Sequence, residues 1–425
     1  MFHGGSTPQF DGAFYNEQVN GIPRVNYDFQ APIGQYGQVR PQYKQLRMLH
    51  QFLTTWGDKL APMKTVLPET NAAIKPDNTE TLRYAVRSYG ESGFLFVVNF
   101  QDHIKTKALE GVSVTVKTKK ESLVFPSTGI MTVPASFSAI LPFNLDLGKA
   151  VLKSATVQPL TVLRKGEVEY VVFSALDGLA PELSFPANTS IKSLKGGAVS
   201  KTSLLKTVKG SDDAPISFVA NGVTVLVIPQ AMAENAVVFD NQLFISEALI
   251  LPDMDQLRLI SQQPTNRVHV YPAGKKPLKA QGNVLRAEKP LFIGFESYTV
   301  AFEVQKPDIT FTKISANKYT VRVNSDISTL NDVFLNIDYL GDRAMAFIDG
   351  RLLTDHFYHG RPWEVSLKAS AAALKQQEMV LFFHPLYADY EQVKTMDNLP
   401  AFENGKLLQV KGVETIPEYS TQLSF

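Results

Sequence analysis

Short runs of alternating apolar and polar residues, separated by turn residues, fill most of the chain from residue 63 onward. Successive side chains of an extended strand point to opposite faces, so this alternation predicts half-buried β-strands. Residues 82–89 and 93–100 form the clearest pair, and we predict a hairpin across the GESG stretch between them. Asp349-Gly350 lies between two further apolar runs and favours the positive φ angles of a tight hairpin turn. The pattern therefore predicts a region of many short strands.

One helical pattern precedes this region. Five side chains recur at the three- and four-residue spacing of one helix face: Tyr43, Leu46, Leu49, His50 and Leu53. Such spacing indicates an amphipathic helix. Pro41 suits the first turn because its missing N–H would be unpaired there in any residue. We expect Trp56-Gly57 to end the helix, because glycine is a poor helix former.

The last third of the chain has the clearest strand pattern. Apolar residues alternate over residues 333–339, and residues 364–367 and 379–383 supply further strands, with a short helix predicted within residues 369–377. Such a series is typical of a jelly roll. Residues 195–210 are polar and rich in Gly, Ser and Lys, which predicts a surface loop or the edge of a sheet.

Composition excludes several classes of protein. The net charge is +1 with no block of like charges, so neither nucleic acid nor an anionic membrane is expected as a partner. The chain has no Cys, which excludes disulfides and Cys-based metal sites. It has no apolar run long enough for a membrane span, and residues 1–30 lack the pattern of a signal peptide. These patterns do not define the compartment.

Motifs for cofactor chemistry are also missing from the sequence. No phosphate-binding glycine loop, Gly-x-Ser-x-Gly elbow or His-Glu-x-x-His occurs, and we predict no cofactor. His356 and His359 form a His-x-x-His pair, which is too sparse for a metal site without a third ligand. A Ca²⁺ site at Asp338, Asp342 and Asp349 is the alternative that we weighed, but its turn explains Asp349 better. We predict no metal.

Three motifs near the N-terminus give the chain a family resemblance. MFHGGST (residues 1–7), NYDFQAP (residues 26–32) and YKQLR (residues 43–47) follow one another in that order. They resemble the end of the catalytic (β/α)8 barrel of glycoside hydrolase family 35, the β-galactosidases, whose pattern runs roughly MFHGGTNFG, SYDYDAPxSEAG and KYxxLR. The chain departs from it where Ser6-Thr7-Pro8-Gln9 replaces TNFG, Gln30 replaces the second Asp, and Gly34-Gln35 replaces Ser-Glu.

The resemblance extends over most of the chain. Residues 84–101 and 142–159 are similar to the β domains that follow the barrel in larger bacterial members, and residues 341–363 to a jelly-roll module near their C-terminus. It implies a mainly β fold in four parts: a remnant of the barrel with its last strand and helix (residues 1–53), a β-sandwich (residues 54–186), a second β region (residues 187–305) and a galactose-binding-like jelly roll (residues 306–425).

The reaction that the resemblance implies is hydrolysis of terminal β-galactosides with retention of the anomeric configuration. Retaining enzymes use two carboxyl groups about 5–5.5 Å apart. In the family the two Glu residues follow barrel strands four and seven, upstream of the motif that opens this chain. We therefore carry over no catalytic residue. We therefore expect this chain to lack most of the catalytic barrel. It should keep the β-rich scaffold but should not catalyse the hydrolysis by itself. Family members are often secreted or periplasmic.

Other carboxylates were weighed as substitutes. Asp11, Glu17 and Asp28 lie in loops that a barrel would direct towards its active mouth. Nothing would hold two of them at a fixed separation without the other strands, and positioning is most of what such a site contributes. We therefore expect Asp11 and Asp28 to be hydrogen-bonding residues of loops.

Two residues are candidates for substrate binding, His3 and Trp363. His3 either faces a sugar or anchors its loop. Trp363 lies near His356 and His359 in sequence and either stacks on a sugar face, as aromatic rings do, or packs in the core. The expected ligand is a β-galactoside or another carbohydrate. A non-catalytic carbohydrate-binding or assembly protein is the alternative hypothesis, and docking of a complementing barrel fragment is a third.

Overall fold

The computed structural model describes residues 25–425, except residues 27, 29, 275, 397 and 398. Within this part the chain is mainly β, with antiparallel sheets in a sandwich-like arrangement. The predicted fold class is thus confirmed at this level. The MFHGGST motif and the predicted barrel strand lie outside the described residues. None of the helices in the described part combines the length and the hydrophobicity that crossing a bilayer requires.

Helix α1 spans Pro41–Leu60 and begins at the predicted proline. The prediction that it ends at Gly57 was wrong, because the helix continues to Leu60. Burial explains the difference: Trp56 and Leu60 are 4% and 8% exposed. Packing of these side chains offsets the cost of about 1 kcal/mol for a glycine inside a helix.

The buried face of α1 also differs from the predicted one. The helix buries Phe52, Trp56 and Leu60, whereas Leu49 and Leu53 are 36% and 40% exposed. Phe52 packs edge-on against Phe94 at 5.2 Å between ring centroids. Leu49 and Leu53 consequently form an exposed apolar pair, although their spacing predicted burial.

The strands from residue 64 to residue 228 make up the first β region. They are β1 Lys64–Val66, β2 Arg83–Tyr89, β3 Ser92–Asn99, β4 Leu109–Val112, β5 Val114–Lys117, β6 Ser122–Phe125, β7 Met131–Val133, β8 Phe137–Asp146, β9 Val151–Ala155, β10 Gln158–Lys165, β11 Val168–Ser174, β12 Glu182–Pro186, β13 Ile191–Lys195, β14 Gly197–Lys201, β15 Leu205–Gly210, β16 Ile216–Ala220 and β17 Val223–Ile228. A single turn of 3₁₀ helix covers Glu69–Ala73.

Two sheets of this region pack face to face around one core. Their orders are β1-β2-β3-β8-β9-β12-β15-β14 and β10-β11-β17-β16-β13. The predicted hairpin is confirmed as β2 and β3, where Tyr89 pairs with Ser92. Polar strand β14 forms a sheet edge, which is one of the two predicted outcomes for residues 195–210. The boundary predicted after residue 186 falls inside the first sheet, because β12 pairs with β15.

The next region contains helix α2 (Gln230–Glu234) and a further group of strands. They are β18 Ala236–Phe239, β19 Gln242–Ile245, β20 Leu249–Asp253, β21 Gln256–Ser261, β22 Thr265–Tyr271, β23 Lys279–Ala280, β24 Val284–Glu288 and β25 Glu296–Ala301. One sheet has the order β18-β19-β22-β25-β24. Strands β20 and β21 belong to a different sheet, in which β21 pairs with the C-terminal strand.

The C-terminal region holds the remaining elements. Its strands are β26 Ile309–Ser315, β27 Lys318–Val323, β28 Asp332–Leu340, β29 Arg343–Ile348, β30 Arg351–Phe357, β31 Trp363–Ser366, β32 Met379–Phe383, β33 Leu386–Tyr387, β34 Lys406–Leu407 and β35 Gln409–Ser424. Its helices are α3 Ala371–Leu374, where a short helix was predicted, and the 3₁₀ turns Lys368–Ser370 and Glu391–Thr395.

Two sheets of this region pack as a sandwich around a second core. One sheet runs β26-β27-β32-β29-β30 and the other β20-β21-β35-β28-β31. Strand β21, from the preceding region, lies between β20 and β35, so the boundary predicted at residue 306 crosses this sheet. The Asp349-Gly350 turn is confirmed, with φ angles of 48° and 72°. We call the second sheet the C-terminal sheet.

Candidate functional site

A cleft of about 1300 Å³ lies between the outer face of the C-terminal sheet and the N-terminal part of α1. Helix α2, the segment before α1 and residues within 245–251 and 261–269 supply the rest of its walls. Most of its lining residues are polar or charged. The sheet side of this lining includes Arg258, Asn331, Asn336, Glu364 and Glu418. Segments far apart in sequence therefore meet at one concave surface, which is the usual form of a ligand site.

The segment of residues 25–40, called the docked segment below, carries the NYDFQAP motif and is held by an internal ion pair. The two terminal nitrogens of the Arg40 guanidinium donate to Asp28: Nη1 donates to Oδ1 at 2.9 Å, and Nη2 donates to Oδ2 at 2.7 Å. The backbone N–H groups of Ala31 and Gln35 donate to the same carboxylate, each at 3.1 Å. Asp28 is therefore a loop hydrogen-bonder with four donors, as expected from the sequence.

Strand β30 fastens the docked segment to the C-terminal region. Asp355 Oδ1 accepts hydrogen bonds from the backbone N–H groups of Val25 at 3.0 Å and Asn26 at 2.8 Å. One residue earlier, the Thr354 hydroxyl donates to Gln35 Oε1 at 2.8 Å. Bonds to a buried carboxylate are stronger than neutral ones. The motif is thus held on residues more than 300 positions later in the chain.

A chain of hydrogen bonds runs from the docked segment into the second core. Gln30 Nε2 lies 3.2 Å from His359 Nδ1, His359 Nε2 lies 3.1 Å from His356 Nε2, and His356 Nδ1 lies 2.8 Å from the Tyr339 hydroxyl. With both imidazoles neutral, one proton assignment satisfies all three contacts, in which each group donates to the next. Gln30, whose Nε2 can only donate, therefore suits a neutral His359.

Burial keeps both imidazoles neutral. Burial, with a smaller contribution from the neighbouring His359, lowers the pKa of His356 to about 3. Burial also lowers the pKa of His359, and the guanidinium groups of Arg361 and Arg40 act in the same direction. A proton added to His359 Nδ1 would face the NH₂ group of Gln30, and one added to His356 Nε2 would face His359. Protonation is therefore expected to break this chain of bonds.

This arrangement predicts a pH-dependent stability. Because the pKa of His356 falls from 6.5 to about 3 on folding, the unfolded chain binds more protons between these values, and stability is lost as pH falls through this window. Relative to His356→Gln, the wild type is expected to lose about 1.4 kcal/mol more per pH unit there. Urea unfolding from pH 7 to pH 4 measures this slope. His103→Gln, whose side chain is 92% exposed, is the control that should keep the wild-type slope, and equal slopes in all three proteins would contradict the prediction.

Trp363 is a core residue. It is 1% exposed, its ring stacks on His356 at 6.0 Å between centroids, and it meets Phe383 edge-on at 6.4 Å. Although Trp363 reaches the wall of the cleft, neither ring face is offered to a ligand. The sugar-stacking interpretation of Trp363 does not fit this burial, whereas the packing interpretation does. The predicted cluster of Trp363, His356 and His359 does come together.

Three other predicted residues, His3, Asp11 and Glu17, lie outside the described part of the chain. The carboxylates weighed for Ca²⁺ have other contacts: Asp338 faces Lys411 at 3.6 Å, and Asp342 faces Arg343 at 3.2 Å. Within the described ranges, no group of three or more His, Asp or Glu side chains is placed to hold a metal ion.

The YKQLR motif orients α1 against α2. Lys44 Nζ donates to Asn235 Oδ1 at 2.6 Å, and Arg47 donates to the carbonyl oxygen of Glu234 at 2.8 Å. Carbonyl groups at the end of a helix lack intrahelical partners, so cations there are stabilising. Both residues therefore help to set the wall of the cleft that α1 and α2 supply.

Sequence reasoning missed Glu364 and Glu418, two of the carboxylates that line the cleft. Burial raises the pKa of each, whereas Arg40 opposes the rise at Glu364 and a hydrogen bond from Asn331 opposes it at Glu418. The alternation of buried and less buried residues along β31 and β35 was the only sign of them in the sequence. It places both glutamates on the outward face of the sheet, next in sequence to core residues. Such positions normally face solvent, so alternation alone did not mark them as a site.

Comparison with models of known protein families finds no match for this chain, and comparison with curated proteins finds none either.

Proposed function

We propose that this chain provides the β-rich scaffold of a β-galactosidase-type glycoside hydrolase resembling family 35. In this proposal it holds the loop of the NYDFQAP motif in place and does not itself hydrolyse β-galactosides. The observation that carries the proposal is the attachment of the docked segment to strand β30 through Asp355 and Thr354. A loop that borders an active site in the family is fixed here by the C-terminal region.

The state of Asp28 supports a scaffold in preference to an enzyme. A general acid needs a proton to transfer, and a nucleophile needs a lone pair directed at the substrate. Asp28 is 5% exposed at its side chain, and both its oxygens accept hydrogen bonds from Arg40 and the backbone. This carboxylate is thus committed to the loop.

Glu364 and Glu418, the carboxylates on the sheet side of the cleft, do not have the spacing of a retaining pair. Glu364 pairs with Asn336 of β28, whereas Glu418 pairs with Asp332 on the other side of the same strand. The backbones of Glu364 and Glu418 are therefore four residues apart along the strand direction, which is roughly 13 Å, and two strands apart across the sheet, which is roughly 10 Å. Side chains stand roughly perpendicular to a sheet, so the carboxyl groups lie well beyond the separation of about 5–5.5 Å that retention needs.

An activity assay tests the proposal. The purified full chain should release no more chromophore from a nitrophenyl β-galactoside than a Glu364→Gln/Glu418→Gln variant prepared in the same way. Preparation from a host that lacks its own β-galactosidase removes the main contaminant. Turnover that exceeds this control, and that follows the protein through a further purification step, would overturn the proposal.

A further inference from the structure

The outer face of the C-terminal sheet carries a band of polar side chains, of which Asn336, Glu364 and Glu418 line the cleft. Asn336 lies opposite Glu364 across the β28-β31 pair, and Asp332 lies opposite Glu418 across the β28-β35 pair. Phe334 lies between these rows on the same strand, and the ring of Tyr36 from the docked segment covers it at 6.4 Å between centroids. The band therefore has polar groups at both ends and an aromatic side chain between them.

Hydrogen bonds orient the charged groups of this band. Gln38 Nε2 donates to Glu364 Oε2 at 3.3 Å. Arg258 donates to Asn331 Oδ1, and Asn331 Nδ2 donates to Glu418 Oε2. In the described contacts one oxygen of each Glu is used in this way, and the second has no hydrogen bond from a protein group. Preset groups of this kind lose little freedom when a ligand binds.

The chemistry of the cleft favours a ligand that both donates and accepts hydrogen bonds. Glu364 and Glu418 only accept when ionised, whereas Arg258 and Arg361 only donate. All four side chains line the cleft. Further charged residues of both signs also line the cleft, among them Glu247 and Arg267. An anion would therefore meet carboxylates, and a cation would meet guanidinium groups. A hydroxyl group bonds both kinds, and a chain of sugar units presents hydroxyls at intervals along its length.

We propose that this cleft binds a neutral oligosaccharide across the outer face of the C-terminal sheet, with hydroxyl groups bonded to Glu364, Asn336 and the Arg258–Glu418 end of the band. The distance between the two rows exceeds the length of a single sugar unit, so the ligand is an oligosaccharide. The volume of about 1300 Å³ exceeds that of most small-molecule pockets and accommodates several units. Tyr36 supplies the aromatic surface, because Trp363 is buried.

Isothermal titration of the full chain with cellotetraose, mannotetraose and galactotetraose tests the inference, with tetragalacturonate as the anionic counterpart. At least one neutral tetrasaccharide should bind saturably, and tetragalacturonate should bind at least tenfold more weakly. Asn336→Ala and Glu364→Gln should each weaken binding by about fivefold to tenfold, the effect of losing one or two hydrogen bonds to a ligand.

Glu414→Gln is the matched control, because Glu414 also pairs with Asn336 on the same face but does not line the cleft. It should bind like the wild type, and unfolding curves should show that all variants fold. The inference is overturned if no neutral tetrasaccharide binds, if tetragalacturonate binds as well as the best of them, or if Glu414→Gln weakens binding as much as the cleft variants. Because no turnover is measured, these outcomes leave the scaffold proposal unaffected.

Discussion

Trp363→Ala is expected to lower the free energy of unfolding by about 3–5 kcal/mol, the usual cost of truncating a large buried aromatic side chain. Trp363 is 1% exposed and fills the space between His356 and Phe383 in the second core. Its indole nitrogen has no hydrogen-bond partner among the described residues, so we expect the loss to come from packing. Urea unfolding monitored by circular dichroism measures the change.

Two control variants separate packing from ligand binding. Trp363→Phe keeps part of the ring volume and should cost less than Trp363→Ala. Phe100→Ala removes a side chain that is 54% exposed and should change stability by no more than about 0.5 kcal/mol. If Trp363→Ala unfolded like the wild type but lost tetrasaccharide binding, the indole would be a ligand contact and the packing interpretation would be wrong.

Local patterns predicted the local structure of this chain well. Strand alternation predicted the β2-β3 hairpin, and Asp349-Gly350 predicted the turn between β29 and β30, because both depend on residues adjacent in sequence. Helix α1 was predicted, but its buried face was not. Burial depends on where Phe52, Trp56 and Leu60 meet the first core, and such tertiary contacts leave no mark in the spacing of apolar residues.

Long-range pairing explains the features that the sequence did not reveal. Strand β21 pairs with β35, so residues about 160 positions apart share one sheet, and no boundary based on composition separates them. The cleft has the same origin. Its walls come from the docked segment, α2 and the C-terminal sheet, and Glu364 and Glu418 became candidates only once these parts were seen together. The cluster at Trp363 was predictable because its members are neighbours in sequence.

The ion pair of the docked segment leads to the second large expected effect. Asp28→Ala should lower the free energy of unfolding of the docked segment by about 3 kcal/mol, because it leaves a largely buried Arg40 without its carboxylate and two backbone N–H groups without an acceptor. This value is at the lower end of the range for buried pairs, since the Arg40 side chain is 19% exposed. Hydrogen exchange at the amides of Ala31 and Gln35, which donate to Asp28, reports the opening directly.

The partner variant and a surface pair test the physical reason for this effect. Arg40→Met removes the buried charge, so Asp28→Ala/Arg40→Met should be less destabilised than the sum of the two single variants, with a coupling of more than about 1 kcal/mol. Asp102→Ala breaks an exposed contact with His103 at 3.4 Å and should change stability by less than about 0.5 kcal/mol. Additive single effects, or exchange at Ala31 and Gln35 that stays at the wild-type rate in Asp28→Ala, would show that the pair does not hold the segment. In that case Asp355 and Thr354 of strand β30 would be the attachment on which the position of the motif depends.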